Sequence, residues 1–251
     1  MNALAILSLS IYMLAADLVP WTSDESALRL SRSTHRVDFF PLSNHFESQD
    51  NAIVCGLASS TIVLNALRLG GKAELPVDKS SIALTERDYL PEDFDPFFKK
   101  YTQTSVLTPS AKKRIEIFGK PVTINGKETA DFGMQLRQLQ QALESNGLHV
   151  KLNVVTDKAD VKKIKAELIQ NLKTKNDYVL VNYARKALGQ TGGGHISPLG
   201  AYDQKSDSFL VMDVNPNKAP WVWVKASDLI AAMKTFDTIE NRGYLLISDK
   251  Q

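Results

Sequence analysis

The chain has 251 residues, of which 43% are hydrophobic and 23% charged, and its 30 basic and 28 acidic residues leave a net charge of +2. This composition is typical of a globular protein of one large domain or two small ones, and it indicates neither a nucleic-acid surface nor a polybasic membrane patch. A single cysteine excludes an intramolecular disulfide and any metal site built from several cysteines, and the four histidines, at positions 35, 45, 149 and 195, lack the spacing of a zinc site.

An apolar run covers residues 3–16. It is too short for a transmembrane helix, which needs about 20 residues, so we predict no membrane span. It suits the hydrophobic region of a secretory signal cut near Ala15-Ala16, although no Lys or Arg precedes Arg29. We therefore treat residues 1–28 as a signal or N-terminal segment. Export would place a bacterial protein in the periplasm; the alternative is a helix packed on the body of a cytoplasmic protein.

Cys55 starts a segment rich in Ala, Leu, Ile and Val that ends at Gly70-Gly71, and this pattern predicts a helix with the thiol at its N-terminus. The partial positive charge and free N–H groups there favour the thiolate. A helix that is apolar on most faces is buried, so we expect it to be central, with its first turn open to a cleft. Cys55 is thus a candidate nucleophile. The alternative is an inert core cysteine.

The rest of the chain changes from helical to β-rich patterns. We predict a helix from Asp131 as N-cap through Leu143, a strand over residues 148–154, and a helix capped by Asp160. Short β-rich runs and one helix near residues 227–234 follow. The β-rich runs are DYVLVNYA, HISPLGAY, SFLVMDV, WVWV and RGYLLIS. Strands that follow one another without intervening helices favour an antiparallel sheet.

These elements predict an α+β protein with two lobes. The helical lobe, residues 29–147, carries the cysteine and faces a β-rich lobe, residues 148–251. Together they form one catalytic domain, residues 29–251, with a cleft between the lobes where ligand sites usually form.

The β-rich lobe supplies partners for the cysteine. His195 begins a strand after three glycines, and Asp213 ends the next strand. If the two strands form a hairpin, their outer ends meet and the carboxylate lies beside the imidazole. The imidazole can then take the thiol proton while the carboxylate orients the ring. Gln49, in the loop before Cys55, can donate to an oxyanion together with the Cys55 N–H.

Each of these polar residues also has a structural interpretation. His195 can be a loop residue satisfied by backbone, Asp213 a turn cap and Gln49 a solvated side chain. The order Gln, Cys, His, Asp, with the cysteine on a helix and the other two partners on strands, favours the catalytic interpretation because one fold uses that order.

Two long segments resemble a known family. QDNAIVCGLASSTIVLNAL resembles the cysteine segment of phytochelatin synthases, and NYARKALGQTGGGHISPLGAYDQKSDSFLVMDVNPNKAPWVWV resembles their histidine and aspartate segment. The pattern NYxRxxLGQTGxGHxSPxGxY is long and specific. The resemblance extends from about residue 29 to residue 248, is strong at NRGYLLI and is weak over residues 71–127.

The resemblance implies a papain-like fold and a glutathione chemistry. Cys55, His195 and Asp213 would be the triad and Gln49 the oxyanion donor. The enzyme would attack the Cys–Gly bond of glutathione, release glycine and hold γ-glutamylcysteine as a thioester. Water would then give γ-glutamylcysteine, whereas a second glutathione would give phytochelatin.

The resemblance also implies substrate-binding residues. Arg185 and Arg242 match family arginines near the substrate and suit the two carboxylates of glutathione. Gly56, next to the nucleophile, is assigned to the same role. The alternative for the arginines is a surface or structural ion pair.

Some features depart from the plant members of the family. Those carry a proline and usually an aromatic residue just before the cysteine, where this chain has Ala52 and Val54, which leaves the acyl-pocket shape open. We expect no cysteine-rich C-terminal domain, and the sequence then resembles the short bacterial, cyanobacterial-type form, in which deglycination outweighs polymer synthesis. We expect no tightly bound cofactor and no metal site, with cadmium or zinc acting through the substrate thiol, and glutathione and a second copy in a homodimer as partners.

Two other functions stay open from the sequence. A papain-like peptidase of different specificity, for example one that trims leader peptides, would cleave longer peptides and need no γ-glutamyl group. A non-enzymatic binder of thiol peptides or metals would keep its function in a Cys55→Ser variant.

Overall fold

The structure, a computed structural model, describes residues 16–249. The signal-peptide prediction falls almost entirely on residues 1–15, outside the described residues. The rest of the predicted N-terminal segment is packed with the body, because Val19–Pro20 forms an edge strand and the first helix begins at Asp24.

Helices and strands are mixed along the chain. The helices are α1 (Asp24–Arg32), α2 (Phe39–Asn44), α3 (Cys55–Arg68), α4 (Leu84–Arg87), α5 (Arg114–Ile117), α6 (Leu136–Ser145), α7 (Val161–Asn171) and α8 (Ala226–Met233). The strands are β1 (Val19–Pro20), β2 (Val122–Ile124), β3 (Lys127–Thr129), β4 (Leu148–Val154), β5 (Asp177–Ala184), β6 (Gly194–Asp203), β7 (Ser208–Val211), β8 (Val222–Lys225) and β9 (Gly243–Asp249).

Seven of these strands form one sheet in the order β1-β8-β7-β6-β5-β9-β4, and every pair of neighbours is antiparallel. Strands β2 and β3 form a separate hairpin. The predicted α+β class and the antiparallel sheet are therefore confirmed. No helix in the described part of the chain has the length and apolarity needed to span a bilayer.

The sheet is covered on both faces. In β5 the side chains of Tyr178 and Leu180 join the apolar cluster that contains α3 and α6, whereas Val179 and Val181 join the cluster that contains α7 and α8. Successive side chains of a strand point to opposite faces, so a strand with an unbroken apolar run, as YVLV is within DYVLVNYA, has both faces buried.

Helix α3 is the central helix that the sequence predicts. Every residue from Gly56 to Asn65 is buried. The Ser59 hydroxyl donates to the carbonyl of Ile196 in β6 at 3.0 Å, which ties the first turn of α3 to the sheet. The N-terminus of α3 is thereby fixed against the strand that carries His195.

The predicted start of α6 is wrong. This helix begins at Leu136 with Gln135 as its N-cap, and Asp131 lies outside it. The Asp131 carboxylate instead accepts from Lys112 Nζ at 2.8 Å and from Gln135 Nε2 at 3.0 Å. The cap at Asp160 is confirmed, because its side chain accepts the N–H groups of Lys162 and Lys163.

Candidate active site

Cys55 is the first residue of α3, and its side chain is half-buried at the wall of a cleft that His195 also lines. The residue before the helix, Val54, makes no side-chain cap. No side-chain cap therefore competes with the thiol for the Gly56 N–H in the first turn. The N–H of Gly56 and the backbone of Ile196 are hydrogen-bonded to it.

His195 and Asp213 are brought together by the β6–β7 hairpin, but Asp213 does not end the second strand as the sequence predicts, because β7 ends at Val211, two residues earlier. Strand β6 ends at Asp203, and β7 returns antiparallel to it, with one register shift between Leu199 and Ala201. His195 Nε2 lies 2.9 Å from Asp213 Oδ1. The contact has ion-pair distance, but the N–H direction is poorly aligned for a full hydrogen bond.

The three side chains shift one another's pKa. Burial by itself would raise the pKa of the Cys55 thiol, but the charge and hydrogen bond of His195 outweigh it and the pKa is lowered. Burial would lower the pKa of His195, yet Cys55 and Asp213 together raise it. These opposite shifts favour the thiolate and imidazolium pair that a cysteine nucleophile uses.

Asp213 is held by more than the histidine. Its carboxylate accepts from Arg185 Nη2, which lies 2.9 Å from Oδ1 and 2.7 Å from Oδ2, and from the Tyr183 hydroxyl at 3.1 Å. The Asn215 N–H donates to Oδ1 at 2.8 Å. Burial would raise the pKa of Asp213, but the contacts with His195 and Arg185 lower it, so the carboxylate stays ionised.

Arg185 forms a buried ion pair with Asp213, which is the structural alternative to substrate binding. Its side chain is only 2% exposed, and its guanidinium faces Asp213 and the Gln190 side chain. Arg185 borders the cleft, but its Nη1 and Nη2 donate to the side chains of Gln190 and Asp213. A direct contact of Arg185 with substrate stays a prediction.

Arg242 is also paired within the protein. Its Nη2 lies 3.0 Å from Asp237 Oδ1, and its Nη1 donates to the Thr235 hydroxyl at 3.1 Å. Its Nε is buried without a partner among the described residues. Asp237 lines the cleft and accepts from Asn182 Nδ2 at 3.1 Å. Neither Asp237 nor Asn182 is predicted from the sequence, although Asn182 belongs to the NYxR motif.

Gln49 and Gly56 lie close to the nucleophile without lining the cleft. The Gln49 N–H donates to the Val214 carbonyl, next to Asp213, and its side-chain amide donates to the Asn51 carbonyl at 2.5 Å. Its Oε1 is buried and has no partner among the described residues. The Cα of Gly56 faces Leu139, where an added Cβ would come within 3.4 Å. The oxyanion role of Gln49 and the substrate role of Gly56 stay predictions.

The outer wall of the cleft is the loop of residues 131–135. Phe132 is 64% exposed at its rim. Its ring lies against Gly119, where a Cβ would come within 2.3 Å of it. Across the cleft lie the glycines before His195 and the side chain of Lys218. Within residues 16–249, no three His, Cys, Asp or Glu side chains are grouped to hold a metal ion.

Comparison with known proteins gives a family match. A family model described as phytochelatin synthase matches residues 10–81 and 91–244. Glutathione gamma-glutamylcysteinyltransferase 3 of Lotus japonicus is 28% identical over 217 residues, which cover 84% of this chain and 37% of that protein. Glutathione gamma-glutamylcysteinyltransferase 2 of Arabidopsis thaliana is 27% identical over 217 residues, 84% of this chain and 39% of that protein.

A fungal relative matches a shorter part. The glutathione gamma-glutamylcysteinyltransferase of Schizosaccharomyces pombe is 29% identical over 117 residues, 46% of this chain and 28% of that protein. The chain thus spans well under half the length of the curated relatives it matches. Because the family model covers most of its residues, the chain belongs to the phytochelatin synthase family.

Proposed function

We propose that the protein is a γ-glutamylcysteine dipeptidyl transferase and hydrolase that acts on glutathione. The observation that carries the proposal is the pairing of Cys55 at a helix N-terminus with His195, whose ring faces the buried Asp213 at 2.9 Å. The relatives are named as glutathione gamma-glutamylcysteinyltransferases, which supports the same substrate here.

In the first half-reaction, the Cys55 thiolate attacks the carbonyl carbon of the Cys–Gly peptide bond. The Cys55 N–H and the Gln49 amide stabilise the oxyanion, and one such donor is worth about 3 kcal/mol of barrier. This role requires the Gln49 amide to turn from Asn51 toward the cleft. His195 then protonates the leaving nitrogen, glycine departs and γ-glutamylcysteine is held as a thioester.

In the second half-reaction, neutral His195 removes a proton from the acceptor. Water as acceptor gives γ-glutamylcysteine, and the amine of a second glutathione gives phytochelatin. We propose that cadmium or zinc enters as a thiolate complex of glutathione and that the reaction needs no tightly bound cofactor. A homodimer is a further untested expectation.

The substrate's charged end fits the polar wall of the cleft. The γ-glutamyl group carries one ammonium and one carboxylate, and Asp237 and Arg242 lie side by side with complementary charges. We propose that this ion pair opens when the substrate binds, so that Asp237 binds the ammonium and Arg242 binds the carboxylate. We also propose a papain-like, two-lobed arrangement, which rests on α3 packing against β6 with the cleft at their shared end.

The test is to incubate the protein with glutathione, with and without cadmium, and to follow glycine, γ-glutamylcysteine and its oligomers by mass spectrometry. Wild type should release glycine and Cys55→Ser should not. The ratio of γ-glutamylcysteine to oligomer measures hydrolysis against transfer. Absence of glycine under both conditions would overturn the glutathione proposal, and cleavage of longer peptides instead would indicate a peptidase of other specificity.

A further inference from the structure

The carboxylate behind the histidine has unusually many donors. Two of them come from adjacent parts of the chain, Tyr183 at the end of β5 and Arg185 just after it. Both side chains are buried, and neither donor is needed to neutralise a surface charge. Their common partner is Asp213.

Tyr183 contacts both members of the His–Asp pair. It is the direct strand partner of His195 in the β5–β6 ladder, and the two rings meet edge to face at a centroid distance of 5.8 Å. Its hydroxyl donates to Asp213 Oδ2 at 3.1 Å. Burial and the neighbouring Asp213 raise the pKa of Tyr183 well above its ordinary value, so it stays a donor across the working pH range.

Arg185 acts on the same carboxylate through its charge. One nitrogen, Nη2, touches both oxygens, at 2.9 and 2.7 Å. If the buried carboxylate faced only the imidazole, its negative charge would stabilise the imidazolium more strongly and raise the pKa of His195 further. A buried guanidinium on the other side offsets part of that negative charge.

We infer that Tyr183 and Arg185 are positioning residues, which hold the Asp213 carboxylate in register for His195 Nε2 and limit how strongly it stabilises the imidazolium. Neither residue needs to touch the substrate in this role. The inference rests on the Cys55–His195 pair of the proposed function, but it does not depend on glutathione as the substrate.

Other groups around the pair are accounted for. The titratable and charged side chains that face His195 and Asp213 directly are Cys55 from α3, Tyr183 from β5 and Arg185. Further charged groups around the cleft are Asp131, Asp237, Lys218 and Arg242. Within residues 16–249, none of these four side chains forms a hydrogen bond or ion pair with Asp213. The variants change none of them, so their charges act equally in wild type and variants.

The experiment is the pH profile of Cys55 alkylation by iodoacetamide, a small neutral probe that needs no substrate site. Because Cys55 is the single cysteine, all thiol alkylation reports on it. With rising pH, the rate of Cys55 alkylation rises as the thiolate and the His195 imidazolium form an ion pair. The rate changes again when His195 loses its proton. The alkaline transition therefore measures how strongly Asp213 supports the imidazolium.

The variants separate charge from position. Arg185→Gln should move the alkaline transition upward by about one pH unit, because a positive charge is removed from the carboxylate. Tyr183→Phe should move it upward by about half a unit and lower the plateau, because one donor is lost and the carboxylate is held less firmly. Arg185→Lys keeps the charge, so its transition should stay near that of wild type.

Matched controls remove the same groups elsewhere. Tyr202 is also buried and donates to a carboxylate, that of Asp207 at 2.7 Å, and Arg68 pairs with Asp249 at 2.9 Å. Tyr202→Phe and Arg68→Gln should leave the alkylation profile unchanged. Thermal unfolding identifies any variant that does not fold, and Tyr183→Phe, which loses a single hydroxyl, then carries the test.

Two failures are distinguishable. If wild-type alkylation shows no transition that His195→Ala abolishes, the proposed Cys55–His195 pair is wrong. If wild type behaves as expected while folded Tyr183→Phe and Arg185→Gln keep its profile, then the two residues are only structural and the inference is overturned.

Discussion

His195 Nε2 lies 2.9 Å from Asp213 Oδ1, although His195 is in β6 and Asp213 follows β7, on the far side of the hairpin. The carboxylate is completely buried and also binds Arg185. Asp213 is therefore the centre of a polar cluster. Its negative charge stabilises both the protonated form of His195 and the buried guanidinium of Arg185.

Asp213→Asn should damage both activity and stability. The neutral amide no longer supports an imidazolium, so glycine release should fall by about 10³ to 10⁴-fold. Arg185 is left buried without its counter-ion, which should lower the free energy of unfolding by about 3 to 5 kcal/mol. Glycine assays and urea unfolding measure the two effects.

A remote ion pair provides the control for that variant. Asp203 pairs with Arg32 at 2.7 Å, far along the sheet from the cleft. Asp203→Asn should cost stability but leave glycine release per folded molecule unchanged. Equal losses of activity in both variants would mean that Asp213 matters only for folding.

The thiol should lose its acidity without the histidine. In wild type the charge of His195 overcomes burial and lowers the pKa of Cys55. In His195→Ala burial is opposed only by the backbone hydrogen bonds of Gly56 and Ile196, so the pKa should rise above that of wild type and the thiolate fraction at neutral pH should fall at least about tenfold. The ultraviolet absorbance of the thiolate against pH measures this directly.

An exposed histidine serves as the control. His149→Ala removes an imidazole from β4, outside the cleft, and should leave the thiolate titration of wild type in place. A His195→Ala protein that titrated at the wild-type pH would show that the helix N-terminus alone sets the acidity of Cys55.

Local patterns predicted where Cys55 and His195 lie in the fold. The apolar run after Cys55 and the glycines before His195 place both residues at the starts of regular elements. The hairpin between β6 and β7 follows from two β-rich runs joined by the turn DQKSD. These features depend on contacts between residues close in sequence, where turn and helix signals are strong.

Long-range partners were not predictable in the same way. Asp131 has the chemistry of an N-cap, but Lys112 binds its carboxylate and the helix starts later. Arg185 suits a substrate carboxylate equally well by its chemistry, and only the folded sheet places Asp213 against it. Strand β1 has two residues, too few for any period, so its pairing with β8 had no sequence signal.

Asp38 should weaken the fold as pH rises. It is 1% exposed, both carboxylate oxygens are without partners among the described residues, and burial and the nearby Asp177 raise its pKa to about 9. Between about pH 4, the usual pKa of an unfolded aspartate, and pH 9 the folded state binds more protons than the unfolded state. Stability from this group therefore falls with rising pH across that window.

Asp38→Asn mimics the neutral acid and removes this dependence. We expect the free energy of unfolding at pH 8 to rise by about 5 kcal/mol, at about 1.4 kcal/mol per pH unit above pH 4, and to be nearly unchanged at pH 4. Urea unfolding at the two pH values measures the difference. Asp157→Asn, on the exposed turn before α7, is the control. Equal stability of Asp38→Asn and wild type at pH 8 would contradict the prediction.

Lys112→Met should loosen the outer wall of the cleft. Lys112 Nζ donates to the Asp131 carboxylate at 2.8 Å and to the carbonyl of Gly133 at 2.9 Å, and both charged side chains are at most 5% exposed. Removing the ammonium leaves Asp131 buried without its counter-ion, so the free energy of unfolding should fall by about 3 kcal/mol, as measured in urea. KM for glutathione should rise more than kcat falls, because the wall loop is displaced while the Cys55 pair stays in place.

Lys165→Met, which breaks an exposed pair with Asp207, is the control and should change stability by less than about 1 kcal/mol. A folded Lys112→Met protein with wild-type stability and KM would show that the buried pair does not hold the loop.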